Sequence, residues 1–185
     1  MWKVTSKRTL VIGLLICLTG CRTTRDDTSA TEPRDVHVEI SDLGPEWTST
    51  GLSEIEPSAF EFECVTIPEG PVEATTTEFE NSVAELGISQ LVGEFASADA
   101  ATAWIAVVAP PAFQCLAPDS SIAELDDIAQ RGADQVAGVA FTYPNSEFAQ
   151  LFVAHRYGSS VTITGISAPT RADAMSTLAT ALTPD

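Results

Sequence analysis

Hydrophobic and polar positions change rhythm three times along this chain. Thr9–Leu18 is a continuous apolar run. Arg22–Asp35 holds no apolar residue larger than Ala. From Val36 onward apolar residues recur with the periods of strands and helices. Val36–Ile40 (V-H-V-E-I) alternates and predicts a short strand, followed by a turn at Gly44-Pro45. Phe60, Phe62 and Cys64 alternate with acids and predict an extended piece. Thr75–Phe79, Gly87–Phe95, Gln135–Tyr143, Phe148–Tyr157 and Val161–Ile166 read as further strands. The last three are separated by Pro144-Asn145-Ser146 and Gly158-Ser159-Ser160, connections short enough for antiparallel neighbours.

Three helices are predicted. Ser97 caps the first, with Ala101, Trp104, Ile105 and Val108 at helical spacing and Pro110-Pro111 as its stop. Ser121–Glu124 matches a capping box, with Ile122, Leu125, Ile128 and Ala129 on one face and Gly132 as terminator. Thr170–Asp173 is a cap for a closing helix whose stripe is Met175, Leu178, Ala179 and Leu182. Together these predict an α+β fold, a twisted antiparallel sheet with two or three helices packed against it.

The first regime predicts an address. Lys3, Lys7 and Arg8 precede the apolar run, which at about 10 residues is too short for a span of roughly 20 and fits a signal peptide. Leu18-Thr19-Gly20-Cys21 then has the form of a bacterial lipobox. The cysteine thiol is the nucleophile that takes a diacylglyceryl group. Acylation at Cys21 with more than one chain predicts stable anchoring to the cell membrane. The expected organisation is residues 1–20 as signal peptide, 21–35 as flexible tether and 36–185 as one domain.

Charge narrows the partners. The formal net charge is −17, and removal of residues 1–20 leaves six cations against 26 acids, a charge of −20 with no lysine. Such a surface repels nucleic acid and leaves membrane attachment to the acyl chains. It suits a cationic envelope protein. Beyond Cys21, the even pair Cys64 and Cys115 in an exported chain predicts one disulfide, with two buried thiols as the alternative. The bridge closes a loop of roughly 50 residues, worth about 4 kcal/mol.

Catalytic patterns are scarce. His37 and His155 lie in no metal-binding spacing, no G-x-S-x-G elbow occurs, and the lack of lysine after Lys7 excludes a serine–lysine dyad, a Schiff base and a P-loop. No cofactor, metal ligand or catalytic residue is expected. In His155-Arg156-Tyr157, strand alternation sends neighbours to opposite faces, so the three do not line one site. Trp104 reads as a core anchor and Trp47 as core or rim.

The order I-S-D-L-G-P-E-W-T, Cys64, V-G-E-F-A-S-A-D-A-A-T-A-W, F-Q-C-L, strand meander and final helix resembles actinobacterial envelope lipoproteins related to the extracellular sensor domain of the mycobacterial serine/threonine kinase H. That resemblance implies a non-enzymatic domain with a ligand cleft. The kinase sensor domain has two disulfides where this chain can make one, and no cleft residue is carried over. The expected function is a membrane-anchored, extracytoplasmic, sensor-like domain for a small hydrophobic or envelope ligand. The alternatives are an acidic protein-interaction module and a carboxylate-based wall hydrolase.

Overall fold

The computed structural model describes residues 38–61, 66, 67, 69–108, 119–125, 128 and 132–182. Three helices and eight strands are described, in the order α1 (Ile40–Leu43), β1 (Thr48–Ser49), β2 (Ser53–Ile55), β3 (Glu73–Asn81), β4 (Leu86–Glu94), α2 (Ala98–Val108), β5 (Ser121–Glu124), β6 (Gln135–Thr142), β7 (Ala149–Tyr157), β8 (Ser160–Ala168) and α3 (Arg171–Leu182). A 3-10 turn, Pro57–Phe60, lies between β2 and β3. All strands join one antiparallel sheet in the order β1-β3-β4-β8-β7-β6-β5, with β2 also on the outer edge of β3. This is the α+β architecture that the alternating patterns predict.

Both faces of the sheet are covered, and that decides where the polar residues end up. On one face, Phe79, Ile88, Ile166, Leu151 and Ala140 line up across five strands by register, and α3 packs over them with Ala174, Leu178, Ala181 and Leu182. On the other, Leu91, Val161, Ile163 and Ala154 are buried on the side that carries the Phe60, Phe95 and Trp104 cluster. The three rings stand 5.5–6.4 Å apart, and the Trp104 indole donates to the Phe60 carbonyl at 3.3 Å. A tryptophan 1% exposed with its N–H satisfied is a core anchor, as its sequence position predicts. Trp47 is half-buried against the α3 side of the core.

Local signals hold at two helices. Ser97 Oγ accepts from the Ala100 amide at 3.1 Å at the start of α2. Thr170 Oγ1 accepts from the Asp173 amide at 3.2 Å and donates to the Asp173 carboxylate at 2.7 Å. The buried stripe of α3 is Ala174, Thr177, Leu178, Ala181 and Leu182, so Met175 and Ala179 face outward, one position away from the predicted stripe. Small residues at 174 and 181 bring the helix close to the sheet.

Two predicted elements are corrected. Ser121–Glu124 is strand β5, not a helix start. Its register runs Ser121 to Thr142 through Glu124 to Val139, and the Ser121 and Thr142 hydroxyls are 2.6 Å apart. Half of β6 otherwise has an unpaired edge, and that long-range demand outweighs a local capping signal. Val36–Ile40 is not a strand through its end, because Ile40 begins helix α1 while Val38 is buried in the core.

Turn chemistry fixes the central hairpin. Gly158-Ser159 joins β7 to β8 in two residues, and Gly158 sits at φ 60, where a glycine is the natural occupant. Asp134 Oδ2 accepts from the Gly158 amide at 2.8 Å and from Arg156 Nη1 at 3.3 Å, which ties the turn to the start of β6.

Candidate functional site

Strand β8 reads S-V-T-I-T-G-I-S-A, so its polar residues Ser160, Thr162 and Thr164 share the face covered farther along by α3. Register sets their neighbours. Thr164 lies between Gln90 of β4 and Val153 of β7, Thr162 between Val92 and His155, and Ser160 between Glu94 and Tyr157. On the next strand out, Thr77, Thr75 and Glu73 oppose Gln90, Val92 and Glu94. The face therefore passes from a hydrocarbon core around Ile166 to a polar lane within a few residues of β8.

The lane is buried at its centre. Gln90, His155 and Thr162 are each 2% exposed, Ser160 is 3% and Thr164 is 0%. Thr75, Thr77, Glu94 and Tyr157 around it are half-exposed, and Glu73 is exposed. Gln90 is satisfied at both ends of its amide. It accepts from the Val38 N–H at 3.0 Å and donates to Thr164 Oγ1 at 3.5 Å. The rings of His155 and Tyr157 stack at 6.3 Å and 19°. The hydroxyls of Thr162 and Ser160 are buried and have no hydrogen-bond partner. A buried hydroxyl left unpaired costs about 1–3 kcal/mol. These two follow one another on the same face of β8.

The sequence-predicted residues divide as follows. His155 and Tyr157 lie on the lane side and Arg156 on the opposite side, where its Nη1 meets Asp134 and the Gly158 carbonyl. Alternation thus separates the H-R-Y triplet as expected. Cys21, Cys64, Cys115 and His37 lie outside the described residues, so lipidation and the disulfide remain sequence readings. Among the described residues, no three His, Cys, Asp or Glu side chains are grouped to hold a metal, and no helix is long and apolar enough to cross a membrane.

Gln90, Ser160, Thr162 and Thr164 escape a reading of sequence alone. Their alternation with Val and Ile is the signal, but alternation normally marks a solvated face. Here that face is covered.

An antiparallel sheet with helices packed on it and a buried polar lane makes this an α+β domain. No protein-family model matches the chain, and no curated protein is recognisably similar to it in sequence. The extracellular domain of PknH from Mycobacterium tuberculosis has a similar structure, with a TM-score of 0.52 at 9% identity over 85% of this chain and 96% of that one. The Rv0999 ortholog from Mycobacterium smegmatis aligns with a TM-score of 0.46 at 11% identity, over 83% of this chain and 99% of that one. At these identities the PknH likeness shows a shared fold, which agrees with the resemblance read from element order.

Proposed function

We propose that this chain is an extracytoplasmic lipoprotein, held at the cell membrane through Cys21, whose domain is a non-enzymatic, sensor-like ligand-binding module. The observation that carries the reading is the fold shared with the extracellular domain of PknH. The lipobox L-T-G-C and the extracellular placement of the similarly folded PknH domain support the location. An acyl anchor confines the domain to the membrane surface and raises its effective concentration toward envelope molecules.

Native mass spectrometry of the full chain, recovered from membranes and incubated with an envelope extract, tests both halves. The expected result is a chain starting at Cys21 with a diacylglyceryl mass and a further discrete bound mass. An unlipidated chain removes the anchor. A clean unliganded mass across extracts removes the ligand-binding role.

A second reading rests on charge. Glu73 directly faces Glu94 across β3 and β4, in a chain whose portion after residue 20 carries −20. Like charges placed opposite one another are held at a cost and attract a cationic partner. Capture of a basic envelope protein that weakens steeply with salt is the outcome this reading requires.

A further inference from the structure

Cover on the second face of the sheet is uneven. The Phe60, Phe95 and Trp104 cluster and α2 close it over Leu91, Val161, Ile163 and Ala154. Toward the other end of the same strands the face reaches solvent. Register sets Gly87 and Ser89 of β4 beside Ser167 and Gly165 of β8. Gly87, Ser89 and Ser167 are half-exposed, although β4 and β8 are central strands.

This block is a low floor between two walls. A Cβ at Gly87 would lie 2.7 Å from Ser167 Oγ, and one at Gly165 would lie 2.8 Å from Ser89 Oγ and 3.1 Å from the Phe152 ring. The glycines keep the floor at backbone height, with the serine hydroxyls and Phe152 leaning over it. Glu78 and Glu80 of β3 form one wall, opposite Ser89 and Gly87. Phe152 and Gln150 of β7 form the other, opposite Gly165 and Ser167. Glu80 is exposed, and Glu78 and Phe152 are half-exposed. Gln150 is 7% exposed; its Oε1 accepts from Tyr143, and its Nε2 donates to no described residue. From β3 to β7 is three strand spacings, roughly 14 Å, which admits an extended peptide.

Charge selects the occupant, and the selection rests on the charge reading above. No described cation answers Glu78 and Glu80. Arg156 shares the face but lies at its far end beside Asp134, and Arg171 opens α3, which packs on the other face. A guanidinium entering the trough meets carboxylates on one side and an aromatic ring on the other, an ion pair and a cation–π contact together. The serine hydroxyls accept its remaining N–H groups, and Gln150 Nε2 is a donor for a peptide carbonyl.

We propose that this open face docks a basic segment of a partner protein, with an arginine seated between the Glu78 and Glu80 carboxylates and the Phe152 ring. The full chain, 15N-labelled in zwitterionic micelles, is titrated with a capped Gly-Arg-Gly-Arg-Gly peptide and with its glutamate counterpart. The arginine peptide should shift the amides of Glu78–Glu80, Gly87–Ser89 and Gly165–Ser167 saturably, and less tightly as salt rises. The glutamate peptide should leave them in place. Affinity should fall about fivefold in Glu78→Gln/Glu80→Gln and about threefold in Phe152→Leu. Glu73→Gln/Glu94→Gln removes the same charge from the opposite face and should leave affinity unchanged. The amide spectra of all variants report whether the fold is intact. Equal losses in the two glutamine pairs reduce the effect to net charge and overturn the site. Shifts centred on Glu73 and Glu94 overturn the site and leave the charge reading standing. No response to the arginine peptide also overturns the site, and salt-dependent capture of a basic envelope protein then decides the charge reading on its own.

Discussion

The backbone amide of Val38 donates to the side-chain oxygen of Gln90 at 3.0 Å, across 52 positions of sequence. Gln90 passes the connection on to Thr164. The segment that leads toward the sequence-predicted tether is therefore fastened to the polar lane itself. Gln90→Leu strands the Val38 N–H in a buried site and should cost about 1–3 kcal/mol. Chemical denaturation measures that loss, and hydrogen exchange at Val38 should accelerate more than at Ile166. Equal acceleration at both would place Val38 outside any special role.

Gly93 is a test of close packing. A Cβ there would lie 2.8 Å from two ring carbons of Phe60, whereas one at Gly70 meets nothing within 4 Å. Gly93→Ala should destabilise by about 1–3 kcal/mol through overpacking, because Phe60 is locked between Phe95 and Trp104. Gly70→Ala should be close to neutral. Unfolding midpoints of the two variants compare them directly.

Two residues that resemble helix caps in sequence should behave differently. Thr170→Ala removes a made cap on α3 and should cost about 1 kcal/mol. Ser121→Ala removes an exposed hydroxyl contact within β5 and should stay within about 0.5 kcal/mol. Helix content by circular dichroism should fall only in the first.

Tyr143 gives a pH dependence with a defined sign. Its hydroxyl donates to Gln150 Oε1 at 2.5 Å, and burial raises its pKa above the ordinary 10.0. The folded state then holds the phenolic proton more tightly than the unfolded chain. Its contribution is complete below about pH 10 and is lost as pH rises through the raised value. Tyr143→Phe should flatten the alkaline fall of the melting temperature. An unchanged alkaline slope would assign that fall to other groups.

Much of the fold was legible because strands β3, β4, β6, β7 and β8 carry alternation, and because Ser97 and Thr170 cap their helices by local contacts. β5 was not legible, since Ser121–Glu124 satisfies a helical rule locally and a pairing demand from Val139–Thr142 globally. The α3 stripe was legible to within one position, since Leu178 and Leu182 are buried but Met175 is exposed. The candidate site was hardly legible. Thr162 and Thr164 alternate with Val161 and Ile163, a pattern that ordinarily marks a solvated strand face, and only the structure shows that face covered. His155 drew attention by residue type, yet its register partners, Val136 of β6 and Thr162 of β8, are set by strand pairing.

The sheet order has a consequence for the chain's history. β4 sits between β3, its hairpin neighbour, and β8, and the Gln90–Thr164 contact spans 74 positions. The middle of the sheet cannot close until β8 is present. Long-range strand pairing of this kind is slow to form. Placing the closing strand β8 just before helix α3 makes completion of the sheet wait for the last strand to emerge.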